Sequence, residues 1–259
     1  MKATDIAVIG ICAALYAMVG RLTDFGVTFF GVAFWPAVVI PAIFAVLYGP
    51  WVGGIGAGIG IFVRDMLFHG DPLLSLTVGL TANFAGFFII GYISQRKIDM
   101  KKLLLSATLT GSILTAGLLL PTVVLPAEFT AFTGLPATSI IIVAVITVFV
   151  SLGIITTASR RWSEWKSFGV ASVIGLGVGA AIIAFGIWVY SQLFFSPTGY
   201  INAPIHASFI PIIFVWTFAT EIPFILLLAP PVIKVCYRAN PFLRQRQQTK
   251  EKHEQKEHL

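Results

Sequence analysis

Arg64 and Asp65 stand side by side, and His69 and Asp71 follow within two turns. An arginine grips a carboxylate or phosphate through two parallel N–H donors. Acids and a histidine next to it can steer that fork or accept from a ligand's own donors. The same end of the chain's apolar segments also collects Arg21, Asp24, Glu128, Asn202 and His206. Rings crowd around them: Phe25, Phe29, Phe30, Phe34, Trp35, Phe68, Phe129, Phe132 and Tyr200. Aromatic walls with a few converging polar groups are what a small-molecule site requires. Taken singly, each of these residues also fits interfacial anchoring, through aromatic belts and snorkelling arginines. As a cluster they point to a ligand site. Arg21 and Arg64 hint at an anionic group on the ligand, and the rings hint at a planar one.

Asn83 and Glu221 fall deeper, each near the middle of an apolar run. A carboxyl within a membrane is a functional candidate by default, here as a polar or proton site. The plain alternative is a structural acid bonded to a carbonyl freed by Pro223 or Pro230.

No motif supports a reaction. The chain lacks a phosphate-cradling P-loop, a His-Glu-x-x-His pair and a nucleophile elbow. His69, Asp71 and His206 offer at most a weak outer metal site, and Cys12 and Cys236 have no metal-ligand spacing. The expectation is a protein that is not an enzyme and needs no cofactor or metal.

The elements that position these residues follow from composition. The chain has 259 residues, 57% hydrophobic and 11% charged, with a mean hydropathy of +0.91. So little charge cannot cover a soluble domain. Apolar runs recur at about 4–20, 30–48, 51–68, 73–94, 103–125, 138–158, 168–194 and 208–236. Each approaches the ~20 residues a helix needs to cross the hydrocarbon. The predicted fold is an all-α polytopic transmembrane bundle of about eight helices over 1–236. A charged tail follows at 237–259. Pro36 and Pro41 should kink or interrupt the second run.

Every Lys and Arg except Arg21 and Arg64 lies at Lys2, in 95–102, in 159–167, or from Lys234 onward. An eight-helix zigzag puts all these segments on one side, which the positive-inside rule makes cytoplasmic, with both termini. The basic excess of +6 is therefore topology, and nucleic acid is not an expected partner.

Glycines mark the third run: Gly49/Gly53, Gly54/Gly58 and Gly56/Gly60 are each four apart, and Gly175, Gly177 and Gly179 punctuate the seventh. In lipid, close backbone approach drives helix packing, so the third helix should be central. The first run carries Ala13/Ala17, with Ala3/Ala7 and Gly10/Ala14 at the same spacing. Such a stripe can meet a helix of this chain or of a partner, and spacing alone does not choose between them.

Two segments carry a family resemblance. "ICAALYAMVGRL" resembles the Ala-x-x-x-Ala stripe of the substrate-binding (S) components of energy-coupling factor (ECF) transporters. "YGPWVGGIGAGIGIFVRDMLFHGDPL" is similar to that family's glycine-rich third helix ending in an acid. The resemblance covers roughly residues 1–95. It implies a membrane subunit that binds a vitamin or related micronutrient and has no ATPase activity. It also implies partners: a transmembrane coupling protein and two ATP-binding subunits. Ala13 and Ala17 would be the docking stripe, residues 21–35 the loop that caps the ligand, and Asp65 the terminal acid of the third helix. The usual six helices would form the core, with an extra pair added here. The Met-His-Ile start of the cobalt and nickel members is absent, which favours an organic nutrient over a metal ion. The competing expectation is a self-sufficient secondary transporter with Glu221 as its proton-coupling site.

Overall fold

The computed structural model describes residues 1–24, 28–29, 32–96, 166–196 and 199–243, with isolated positions between 101 and 153. The expected spans at 103–125 and 138–158 lie outside the described residues, as do Phe25, Phe30, Glu128, Phe129 and Phe132 and the tail beyond 243. Six helices are described: α1 (Ala3–Leu22), α2 (Val39–Tyr48), α3 (Pro50–Phe68), α4 (Pro72–Ser94), α5 (Lys166–Leu193) and α6 (Ile210–Ala239). All but α2 are long and apolar enough to cross a membrane. Large apolar side chains such as Ile6, Met18, Leu22, Trp51, Phe185 and Leu193 are exposed on the bundle, as lipid contact demands.

The second span differs from expectation. Instead of one helix from 30 to 48 there is a small hairpin, β1 (Thr28–Phe29) and β2 (Val32–Ala33), paired antiparallel. A 3-10 turn at Pro36–Val38 follows, and α2 has only 10 residues. Pro36 fixes φ and has no N–H to offer, so it suits the first turn of a helix and not its middle. The all-α expectation thus misses one two-stranded element. Gly49, at φ 107°, then reverses the chain between α2 and α3, a conformation that a side chain would strain.

Glycine contacts give the helix directions. A Cβ placed on Gly56 would touch Cys12 of α1, and one on Gly60 would touch Ala13 and Tyr16, so α1 and α3 run parallel. Gly54 meets Phe84 and Phe88 of α4 while Gly58 meets Leu80, so α3 and α4 are antiparallel. Gly53 meets Ala45 of α2. The glycines of α3 therefore face three neighbours at once, and the helix is central. Between α4 and α5 the approach is backbone to backbone: Gly86 lies against Gly175 and Gly179. α6 packs on α5 and α2, closing the group.

α4 is not a uniform helix. Residues Ser75–Gly79 form a single π turn inside it. Such turns rotate the residues that follow and free backbone groups for side chains. Here the side chain of Asn83 donates to the carbonyl of Gly79 at 2.9 Å.

Candidate functional site

Arg64 and Asp65 sit on the last turn of α3 and are almost wholly buried. The guanidinium lies between two rings, 4.2 Å from the centre of Trp35 and 4.1 Å from that of Phe68. One terminal nitrogen reaches Asp24 at 3.1 Å and the other reaches Asp65 at 3.2 Å. Its Nε has no hydrogen-bond partner among the described residues. Arg64 is thus held between two carboxylates and is not a spare cation for an anionic ligand. Arg21 is largely exposed and pairs with Asp24 only at 3.9 Å. The hint of an anionic ligand therefore no longer rests on Arg64.

Asp65 is bound on both oxygens. Oδ1 accepts from Arg64, and Oδ2 accepts from Ser75 Oγ at 2.7 Å, at the start of the π turn. His69 lies one turn on, its Nε2 3.7 Å from Asp65. His69 Nδ1 accepts the backbone N–H of Asp71 at 3.0 Å, which leaves the ring proton on Nε2, facing the carboxylate. Tyr200 stacks on His69 with ring centres 4.7 Å apart, and burial pushes its phenol up to about 12.

Beneath this cluster a cavity runs down between α3, α4, α5 and α6. Its volume is about 100 Å³, room for several waters. Val32 and Ala33 of the hairpin, Trp35, Arg64, Asp65 and His69 line its outer part. Asn83, Phe87, Thr217 and Glu221 line the inner part, with apolar residues of α4 and α5. Trp216 Nε1 donates to the carbonyl of Val32 at 3.0 Å and so pins the hairpin to α6.

One hydrogen-bonded chain crosses the cavity wall. Trp35 Nε1 donates to Tyr16 Oη at 2.7 Å, and Tyr16 Oη donates to Asn83 Oδ1 at 2.8 Å. Tyr16 is fully buried and stands edge-on to both Trp35 and Phe87. Replacing Tyr16 with Phe strands the indole N–H and the amide oxygen together. The expected loss is about 2 kcal/mol of stability, read as a lowered unfolding midpoint in detergent. An unchanged midpoint would mean that water replaces the hydroxyl.

Of the residues expected at the site, the structure brings together Trp35, Arg64, Asp65, His69, Asn83 and Glu221. Asp24 stands behind Arg64. Asp71 instead works within the fold: one oxygen caps α4 by accepting from Leu74 N at 3.0 Å, and the other accepts from Tyr190 Oη at 2.7 Å. His206 is exposed on the 199–209 segment and does not line the cavity. Phe30 and Phe129 lie outside the described residues.

Ala13 and Ala17, the expected docking stripe, lie inside the described bundle. Both are buried, and Ala13 lies against Gly60 of α3. The opposite face of α1 is exposed and carries Ala3, Ala7, Gly10 and Ala14. Spacing of four fits both faces equally, and only packing chooses the phase.

Residues that sequence reasoning missed include Tyr16, Ser75 and Thr217. A lone hydroxyl in an apolar helix was the available signal for each. Thr217 donates to Ile213 O at 2.9 Å, which leaves its oxygen lone pairs toward the cavity that it lines.

Comparison with known proteins relates the chain to membrane transport subunits. The family model for the S component of ECF-type riboflavin transporters matches residues 1–158. A UPF0397 protein of Aliivibrio salmonicida is 35% identical over 103 residues, which is 39% of this chain and 55% of that protein. The chain thus spans about half the length of this curated relative. No solved structure matches.

Proposed function

This chain belongs to the family of S components of ECF-type riboflavin transporters, membrane subunits that bind substrate for transport and are not enzymes, and from that premise we propose that it captures a small, planar, vitamin-like nutrient in the cavity below Arg64 and Asp65. The observation that carries this reading is the cavity itself: polar groups from α3, α4 and α6 converge there behind the ring of Trp35. Riboflavin, which the family's name supplies, is the first probe to try.

In this reading Trp35, Arg64, Asp65, His69 and Asn83 form the binding walls, with Asp24 holding Arg64 in place. Arg21 and His206 stand at the outer end of the bundle, near the entrance. The two further spans expected within 103–158 bring the bundle to about eight helices. The bilayer is the plasma membrane, both termini are cytoplasmic, and 237–259 is a charged tail on that side. The site opens outward, at the end of the bundle away from Lys2, Arg96, Lys166 and Arg238.

Energy comes from a transmembrane coupling protein with two ATP-binding subunits. The docking face is the exposed stripe Ala3, Ala7, Gly10 and Ala14, where side chains are small enough for a partner backbone to approach. A Cβ on Gly10 meets nothing within 4 Å, so a bulky side chain there fits the isolated chain. Gly10→Trp should therefore abolish co-purification with the coupling protein while ligand binding persists. If the Gly10→Trp protein assembles normally, the stripe is misassigned.

The overall reading is tested by mass spectrometry of small molecules retained by the purified protein, and by uptake into proteoliposomes with and without the coupling module. Uptake that requires nucleotide and the module supports it. Uptake by the chain alone, driven by a pH gradient and lost in Glu221→Gln, supports the secondary transporter instead.

A further inference from the structure

Glu221 is 6% exposed and lines the cavity about 11 residues into α6, or ~16 Å from its outer end at 1.5 Å per residue. It has no hydrogen bond or ion pair with any described residue. Among the described residues, neither the carbonyl freed by Pro223 nor that freed by Pro230 is hydrogen-bonded to it. An isolated carboxylate in such surroundings is costly to keep charged.

The other charges do not offset it. Among the described residues, Arg64 is the cation of the cavity wall, and Asp24 and Asp65 already flank it within 3.2 Å. The ionic groups of the cavity and its rim therefore carry more acid than base. Thr217, one turn before Glu221 on α6, has its proton committed to Ile213 O and presents only acceptor capacity. Asn83 gives one amide N–H to Gly79 and keeps a second. The inner end of the cavity thus offers mostly acceptors and asks its occupant for donors and positive charge.

Resting on the binding-subunit reading above, we infer that the occupant is a planar organic molecule with a basic nitrogen, and that this nitrogen docks against Glu221 in the inner part of the cavity. Whichever partner holds the proton beforehand, the bound state is an N–H donor set against a carboxylate. If the carboxyl enters protonated, its proton passes to the ligand nitrogen and no other group changes. Such a charge-assisted hydrogen bond removes the cost of the lone acid and is absent for a ligand that offers only a neutral imide. Arg64 acts differently here from a ligand-gripping arginine: it braces the outer wall and leaves recognition to the acid below.

The test uses full-length protein in detergent. Molecules that co-purify are identified by mass spectrometry, and pyridoxamine (a ring compound with basic nitrogens) and riboflavin (a neutral imide) are titrated by calorimetry. The expected results are a co-purified molecule with a basic nitrogen, and pyridoxamine binding at least tenfold tighter than riboflavin. Glu221→Gln keeps the side chain's size and should weaken pyridoxamine binding at least tenfold at an unchanged elution volume. The comparison of the two probes on the natural protein does not depend on that variant folding. Riboflavin binding as tightly as pyridoxamine overturns the inference and leaves the binding-subunit reading intact. So does a retained molecule that lacks a basic nitrogen, or a Glu221→Gln protein that binds like the parent. A natural protein that retains no small molecule and takes neither probe overturns both.

Discussion

Replacing Arg64 with Ala is expected to destabilise the protein by about 3–5 kcal/mol, the usual cost of breaking a buried ion pair from one side. The guanidinium holds Asp24 and Asp65 at 3.1 and 3.2 Å, and all three side chains are at most 9% exposed. Without it, two carboxylates face each other in a buried wall, and a void opens between Trp35 and Phe68. Arg64→Lys restores the charge but not the flat fork that reaches both acids and stacks on both rings, so it should recover less than half of the loss. The unfolding midpoint in detergent checks this. Near-parental stability of Arg64→Ala would show that the two acids find other partners. Neutralising them together, as Asp24→Asn with Asp65→Asn in the Arg64→Ala background, should return part of the loss, because the repulsion is then gone.

The second large effect belongs to the glycines. A Cβ on Gly53 would lie 2.3 Å from Ala45 Cβ and 2.5 Å from Ala45 Cα, and one on Gly175 would lie 2.5 Å from the carbonyl oxygen of Gly86. Neither obstacle is the loose end of a flexible side chain. α2 would have to move off α3, or α5 off α4, and each Gly→Ala change should cost about 2–3 kcal/mol. Gly10→Ala and Gly177→Ala provide the contrast. The first meets nothing within 4 Å and the second meets only Phe218 at 3.9 Å. Both should leave the unfolding midpoint unchanged or slightly raised, since alanine is the better helix former. Equal effects at all four positions would mean that backbone approach does not organise this bundle.

Much of this arrangement is legible in the sequence because it is periodic or local. The glycine spacing of α3 marks it as central, and the adjacency of Arg64 and Asp65 on the outer turn marks the cluster. What is not legible depends on phase or on distance along the chain. The two small-residue stripes of α1 have the same spacing, and only the packing of Cys12, Ala13 and Tyr16 onto Gly56 and Gly60 turns one of them inward. Asp24 lies 40 positions from Arg64, so nothing local joins them. The same holds for Tyr16 and Asn83, 67 positions apart, and for Asp71 and Tyr190, 119 apart. Asp71 looked like a ligand contact because it is an acid near a charged turn, and it is spent on a helix cap and a tyrosine. The shortness of α2 was half visible: Pro36 marks the break, while the hairpin that replaces the missing turns has no strong pattern of its own.

The exposed small-residue face of α1 has a consequence for any helix that packs there. In a bilayer a shallow channel of alanine and glycine is never vacant, because acyl tails settle into it. A neighbouring helix that lies down there must first push those tails back into the bulk lipid. The grip between subunits then depends on how readily the surrounding fat conforms to the groove, and the membrane itself becomes a participant in assembly.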